Sequence, residues 1–214
     1  MTLKIIACEV MKEELLRIPL RQAADYEFVS MGLHLHPDKL RVELQRLLDN
    51  AQGYETVILA FGLCGGAVRG IKSPHASLVI PRVHDCIPLL LGSQEAFQHC
   101  SAEETGTFYM SCGWILTERN ILTEHERVRE KFGDKKAAAI LARTYSGYKK
   151  LLFIHTGCDN DAAVLEQSRE MARLLTLDHA TTTGDPGYLQ QIVNGPWDSP
   201  NFIRVPPGEA IEES

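Results

Sequence analysis

The sequence of 214 residues contains no apolar run near the roughly 20 residues that cross a bilayer. Its opening stretch, Met1 to Cys8, is short and lacks the small-residue cleavage pattern of a secretory leader. The expectation is a soluble, cytoplasmic protein with no membrane partner. Clustered positive charge is also missing. With 22 Lys and Arg scattered against 28 Asp and Glu, the formal net charge is -6, which argues against nucleic acid as a partner because affinity there rests on neutralising phosphates. Heptads, low-complexity tracts, convincing repeats and a clear linker are all absent. No CxxC pair occurs, so the closely spaced ligands of a structural zinc finger are excluded. Gly62-Leu63-Cys64-Gly65-Gly66 lacks both the Gly-Lys-Ser/Thr ending of a P-loop and the third glycine of a dinucleotide fingerprint.

What is present is an ordinary globular composition, 44% hydrophobic and 23% charged. The length suits a single domain over residues 1–214, of one or two lobes. Apolar runs predict strands at Leu3–Ala7, Tyr26–Val29, Thr56–Phe61, Ser77–Ile80, Thr107–Met110, Lys149–Ile154 and Phe202–Val205. Between them, apolar residues spaced by three and four predict helices over Glu9–Arg21, Leu40–Leu48, Ile87–Leu91, Lys135–Tyr145, Ala162–Leu175 and Gly187–Val193. Thr123-Glu124-His125-Glu126 has the form of a capping box opening a further helix that Gly133 interrupts. Alternating strands and helices predict an α/β fold, a mainly parallel sheet with helices on both faces, whose ligand site lies at strand C-terminal ends.

Five of the six cysteines, Cys8, Cys64, Cys86, Cys112 and Cys158, fall at such predicted ends; Cys100 lies among helix residues as packing. In the cytosol thiols stay reduced, so metal binding, catalysis or simple burial is expected of them rather than pairing. The densest stretch is Pro81-Arg82-Val83-His84-Asp85-Cys86, followed by Pro88 in the first turn of a helix. A thiol at a helix N-terminus is favoured as thiolate. Asp159, Asn160 and Asp161 read as helix caps, and His34 and His36 as solvated loop residues.

The sequence resembles a bacterial and archaeal family known as a conserved domain of unknown function, often encoded beside corrinoid-dependent methyltransferases. The resemblance covers nearly the whole chain. It rests on Ile6-Ala7-Cys8-Glu9-Val10, Gly62-Leu63-Cys64-Gly65, Pro81 to Ile87 with Leu91-Gly92-Ser93, Gly113-Trp114, Gly184-Asp185, and Trp197-Asp198 leading to Phe202 through Gly208. It implies Cys8, Cys64 and Cys86 as matched cysteines with His84 and Asp85 beside them, and it makes a corrinoid or a methyltransferase protein a possible partner. The base-off corrinoid signature Asp-x-His-x-x-Gly does not occur.

Three chemistries remain open. In the first, Cys8, Cys64 and Cys86 ligate zinc, with His84 as a fourth ligand or an orienting group, or hold an iron–sulfur cluster with one iron open; with three protein ligands a position remains for a small-molecule substrate. His84 and Asp85 then move protons, while Gly65, Gly66, Arg82 and Trp114 line the bound group. The reaction expected is group transfer, of transferase or lyase type, in one-carbon, methyl or sulfur metabolism. In the second, Cys86 is a metal-free nucleophile, with His84 as base and the Gly65 and Gly66 amides at an oxyanion. In the third, the chain is an accessory binding protein for a corrinoid methyltransferase system.

Overall fold

A computed structural model describes residues 2–103, 105–157 and 161–212. It has the mainly parallel α/β class expected, with the strands divided over two sheets. The first has the order β2-β1-β3-β4-β8, where β1 is Leu3–Cys8, β2 Ala24–Val29, β3 Thr56–Ala60, β4 Ser77–Pro81 and β8 Phe202–Val205. All its pairings are parallel except β4 with β8. The second sheet, β5-β6-β7, is parallel throughout and consists of Thr107–Ser111, Lys150–His155 and Asp178–Thr183.

Burial explains the first sheet. Every residue of β3 is buried, as a central strand covered on both faces requires. Helix α2 (Pro37–Asp49) turns Leu40, Leu44, Leu47 and Leu48 to the core and leaves Val42 exposed, the one-sided pattern of an amphipathic helix. The predicted helix over Glu9–Arg21 is shorter. A 3-10 turn at Glu9–Met11 leads into α1 (Lys12–Arg17), and Pro19 forces Ile18 into extended backbone. Helix α3 (Ile87–Leu91) starts at Cys86 with Pro88 in its first turn, and α4 covers Gln94–Glu103.

Short helix α5 (Cys112–Leu116) continues directly from β5, followed by α6 (Ile121–Phe132) and α7 (Asp134–Thr144). The predicted capping box at Thr123 is displaced: the cap is Asn120, whose Oδ1 accepts from the Thr123 amide at 3.0 Å, so the helix starts a turn earlier. Helices α8 (Asp161–Leu175) and α9 (Gly187–Asn194) flank β7 in the chain. Strand β7, Asp-His-Ala-Thr-Thr-Thr, has no apolar run to announce it; it is an edge strand held by its pairing with β6 and by three β-branched threonines.

The chain runs from β1 outward to β2, then back past β1 to β3. At such a reversal the connections leave in opposite directions and open a crevice at the carboxyl ends of the two strands. The carboxyl end of the second sheet is packed across this region. Gly113 of α5 lies on the backbone of Val10, so closely that a Cβ would overlap the Val10 carbonyl. Among the described residues, no helix is long and apolar enough to cross a membrane.

Candidate functional site

The three matched cysteines lie on the strand ends and loops that border the crevice. Cys8 is the last residue of β1 and is 1% exposed; Cys86 caps α3 and is 7% exposed; half-buried Cys64 follows β3 by way of Phe61, Gly62 and Leu63. The loop after β3 is pinned to the loop after β4. The Leu63 amide donates to the Val83 carbonyl at 2.9 Å and the Cys64 amide to the His84 carbonyl at 3.1 Å. Gly62 packs on the backbone of Asp85, an approach that any Cβ would obstruct. Cys64 itself has φ 45°, and Gly65 and Gly66 follow at 66° and 83°, so three successive left-handed residues turn the chain there. For cysteine that conformation is sparsely populated, and surrounding structure must hold it.

Electrostatics ties the three thiols into one cluster. Cys86 feels Cys8, Asp85 and Cys64; Cys8 feels Cys64; Cys64 feels Asp85. Burial is the main cause of the upward push on each thiol, to about 12 for Cys8 and Cys64 and well above the ordinary range for Cys86. The like charges add to this. Backbone amides act in the opposite sense, that of Val10 on Cys8, of Gly62 on Cys64, and of Cys86 on itself. Each sulfur is therefore supplied with an N–H that favours its anionic form, yet desolvation outweighs it. Burial works against the thiolate expected of Cys86 at its helix N-terminus, since the first turn of a five-residue helix acts against desolvation beside a carboxylate and two other thiols.

The other expected residues are distributed differently. His84 is exposed, and its contact with Cys64 is through the carbonyl. Asp85 is half-buried; its Oδ1 accepts from the Ile87 amide at 2.8 Å, fixing the start of α3. Arg82 points to the loop before β8, with Nε donating to the Pro200 carbonyl at 3.2 Å. The Gly66 carbonyl accepts from Arg41 at 2.9 Å. Trp114 is half-buried between the cores of the two sheets, and its Nε1 has no hydrogen-bond partner among the described residues. Cys112 is disulfide-bonded, against the expectation of reduced thiols, and so leaves the thiolate set; its partner lies outside the described residues. Cys158, Asp159 and Asn160, and the side chain of Asp161, also lie outside them. Half-buried Cys100 packs on the first core, as expected.

His34 was expected in solvent and is not there. Glu9, next to Cys8, accepts from the Met31 amide at 2.6 Å and from Ser30 Oγ at 3.0 Å, folding the 3-10 segment Met31–Leu35 over the end of β1. His34 consequently stacks on Phe61, ring centroids 6.0 Å apart, three residues before Cys64. Its Nε2 is buried without a hydrogen-bond partner among the described residues. Burial lowers its pKa, with Glu9 acting against the shift, so the ring is held toward its neutral, lone-pair-bearing form. His36, by contrast, is exposed.

Thiols such as Cys8, Cys64 and Cys86 are of the residue type that ligates thiophilic metals once deprotonated. As they stand, no group of three or more His, Cys, Asp or Glu among the described residues is drawn together closely enough to hold a metal ion. A family model described as a protein of unknown function, DUF1638, matches residues 28–193. No curated protein and no solved structure matches the chain.

Proposed function

The chain belongs to this DUF1638 family, whose description assigns no reaction, and we propose from the site alone that Cys8, Cys64 and Cys86 form a thiolate metal centre, zinc or an iron–sulfur cluster. The observation that carries the reading is the placement of two buried thiols and one half-buried thiol at the reversal of strand order, with the Cys64 loop pinned by backbone hydrogen bonds to the loop that delivers Cys86. Protonated, the thiols gain little from the backbone amides beside them. A cation that replaces their protons turns the repulsion among three sulfurs into shared attraction, and metal binding and deprotonation become one event. Drawing the three sulfurs into ligating distance is part of that event.

Three protein ligands leave one position on zinc, or one iron of a cluster, open to a small-molecule substrate. When bound, such a centre supplies electrophilic activation for group transfer, in one-carbon, methyl or sulfur metabolism. His34 replaces His84 as the histidine best placed to serve the centre, either as a further ligand or by moving a proton at Nε2. A corrinoid methyltransferase system is the partner that the resemblance brings to this reading. A metal-free nucleophile is less well supported. With a thiol pKa of about 12, as at Cys8 and Cys64, only ~1 thiol in 10⁵ is ionised at pH 7.

Elemental analysis of protein purified without oxygen tests the proposal. The expected result is near-stoichiometric zinc or iron, lost in a folded Cys64→Ser/Cys86→Ser variant. Absence of metal after anaerobic purification and reconstitution sinks it.

A further inference from the structure

A second region lies between the sheets, on the other side of α1 in sequence from the thiols. Glu14 of α1 is 6% exposed. Its Oε1 accepts from Thr156 Oγ1, just beyond β6, at 2.8 Å. Its Oε2 is buried and has no hydrogen-bond partner among the described residues. Ser111 Oγ, at the end of β5, is near enough to favour the ionised carboxyl but forms no well-aligned bond with it. Glu14 and Thr156 line a cavity of about 190 Å³, the volume share of about six waters. Much of its remaining wall is apolar: Ile18, Leu90, Pro186 and Leu189.

A buried carboxyl oxygen with no donor is costly, more so than a neutral group, and it persists where a bound molecule supplies the donor. The influences on Glu14 are burial, the Thr156 hydroxyl, its own amide, Glu13 and Ser111, none of them a cation. Arg17 borders the same cavity but directs Nη1 to the Gly157 carbonyl at 2.8 Å. The wall thus carries one carboxyl group and one guanidinium, the latter turned to a backbone carbonyl, and is apolar over much of the rest. What satisfies the bare Glu14 oxygen must bring a donor, and a large polar molecule meets hydrocarbon.

We propose that this cavity binds a small organic cation, a protonated aliphatic amine, whose N–H group donates to Glu14 Oε2 while its alkyl part packs on Ile18, Leu90, Pro186 and Leu189. The amine joins Glu14 and Thr156, bridging the first turn region of one sheet and the strand end of the other. The site does not depend on whether the thiols hold a metal.

Butylamine serves as the probe, with butanol and butyrate as its neutral and anionic counterparts, titrated into the intact chain and followed by the amide resonances of Gly157 and Gly184. The expected result is a saturable shift of both resonances with butylamine, at least tenfold tighter than with butanol and absent with butyrate. Glu14→Gln is expected to weaken butylamine binding at least tenfold while the amide spectrum stays folded. Equal affinity for butanol and butylamine, saturation by butyrate, or no saturable shift at Gly157 and Gly184 overturns the proposal in the wild-type chain alone, whatever the variant does.

Discussion

The thiol cluster and the Glu14 cavity both bury titratable groups, and they differ in what burial costs them. A thiol pushed up to about 12 is simply a small apolar group near neutrality, so Cys8 and Cys64 can wait without a partner at little expense. Glu14 cannot, because a carboxyl is polar in either protonation state and one of its oxygens lacks a partner among the described residues. On the two proposals, the cluster is switched on by deprotonation and the cavity by being filled.

Gly113→Ala breaks the comparison most severely, since both regions depend on the second sheet lying against Glu9–Met11. A Cβ at Gly113 overlaps backbone rather than a yielding side-chain tip, so the helix must shift. The expected loss is about 3 kcal/mol in urea unfolding, at the upper end for overpacking. Loss of under 1 kcal/mol, with metal retention and amine binding intact, would show that the two regions are built independently.

How well each region could be read from sequence follows from the same contrast. Cysteines placed at the ends of β1, β3 and β4 announce themselves, because apolar runs locate strand ends and strand order then brings those ends together. His84 was misplaced because strand-end position says nothing of which way a side chain turns once a loop begins. His34 was hidden because its burial comes from a long-range bond, Glu9 to the Met31 amide, which no local pattern records. Glu14 was hidden among the charges of Lys12-Glu13-Glu14, where only the packing of a second sheet distinguishes the buried acid from its half-buried neighbour. Strand β7 escaped because an edge strand of threonines takes its order from β6. The α/β class, resting on many apolar segments at once, did not share this weakness.

The acid of the cavity has a pH signature of its own. Burial, ahead of the Thr156 bond, raises the Glu14 pKa above 4.5. Between the unfolded and folded values the native state holds the proton and the unfolded state has lost it, so stability falls as pH rises through that window and levels off above the folded pKa. Glu14→Gln removes the slope. Relative to wild type, the variant is expected to gain stability steadily in urea midpoints measured upward from pH 4.5, and butylamine should recover part of the same difference in wild type only. Parallel profiles for the two proteins would mean that Glu14 titrates as if in water. The metal-free thiols sharpen the contrast kinetically: Cys8 and Cys64 should alkylate about 10³-fold slower at pH 7.5 than in urea, following the move from 9.0 to about 12.

The smallest effect separates His84, which the sequence offers as a ligand, from His34, which it offers as a solvated loop residue. His84 is exposed and presents its carbonyl to Cys64, so His84→Ala keeps the bond that positions the thiol and should change stability by less than about 0.5 kcal/mol with full metal content. His34→Ala removes a neutral ring stacked on Phe61 with a buried, unpartnered Nε2. If His34 serves the centre, the variant loses metal faster to a chelator than wild type does, while His34→Gln, which keeps a polar side chain without the imidazole lone pair, fails to restore retention. Equal chelation rates for both alanine variants would return His34 to packing alone and leave the three sulfurs as the whole of the protein's contribution.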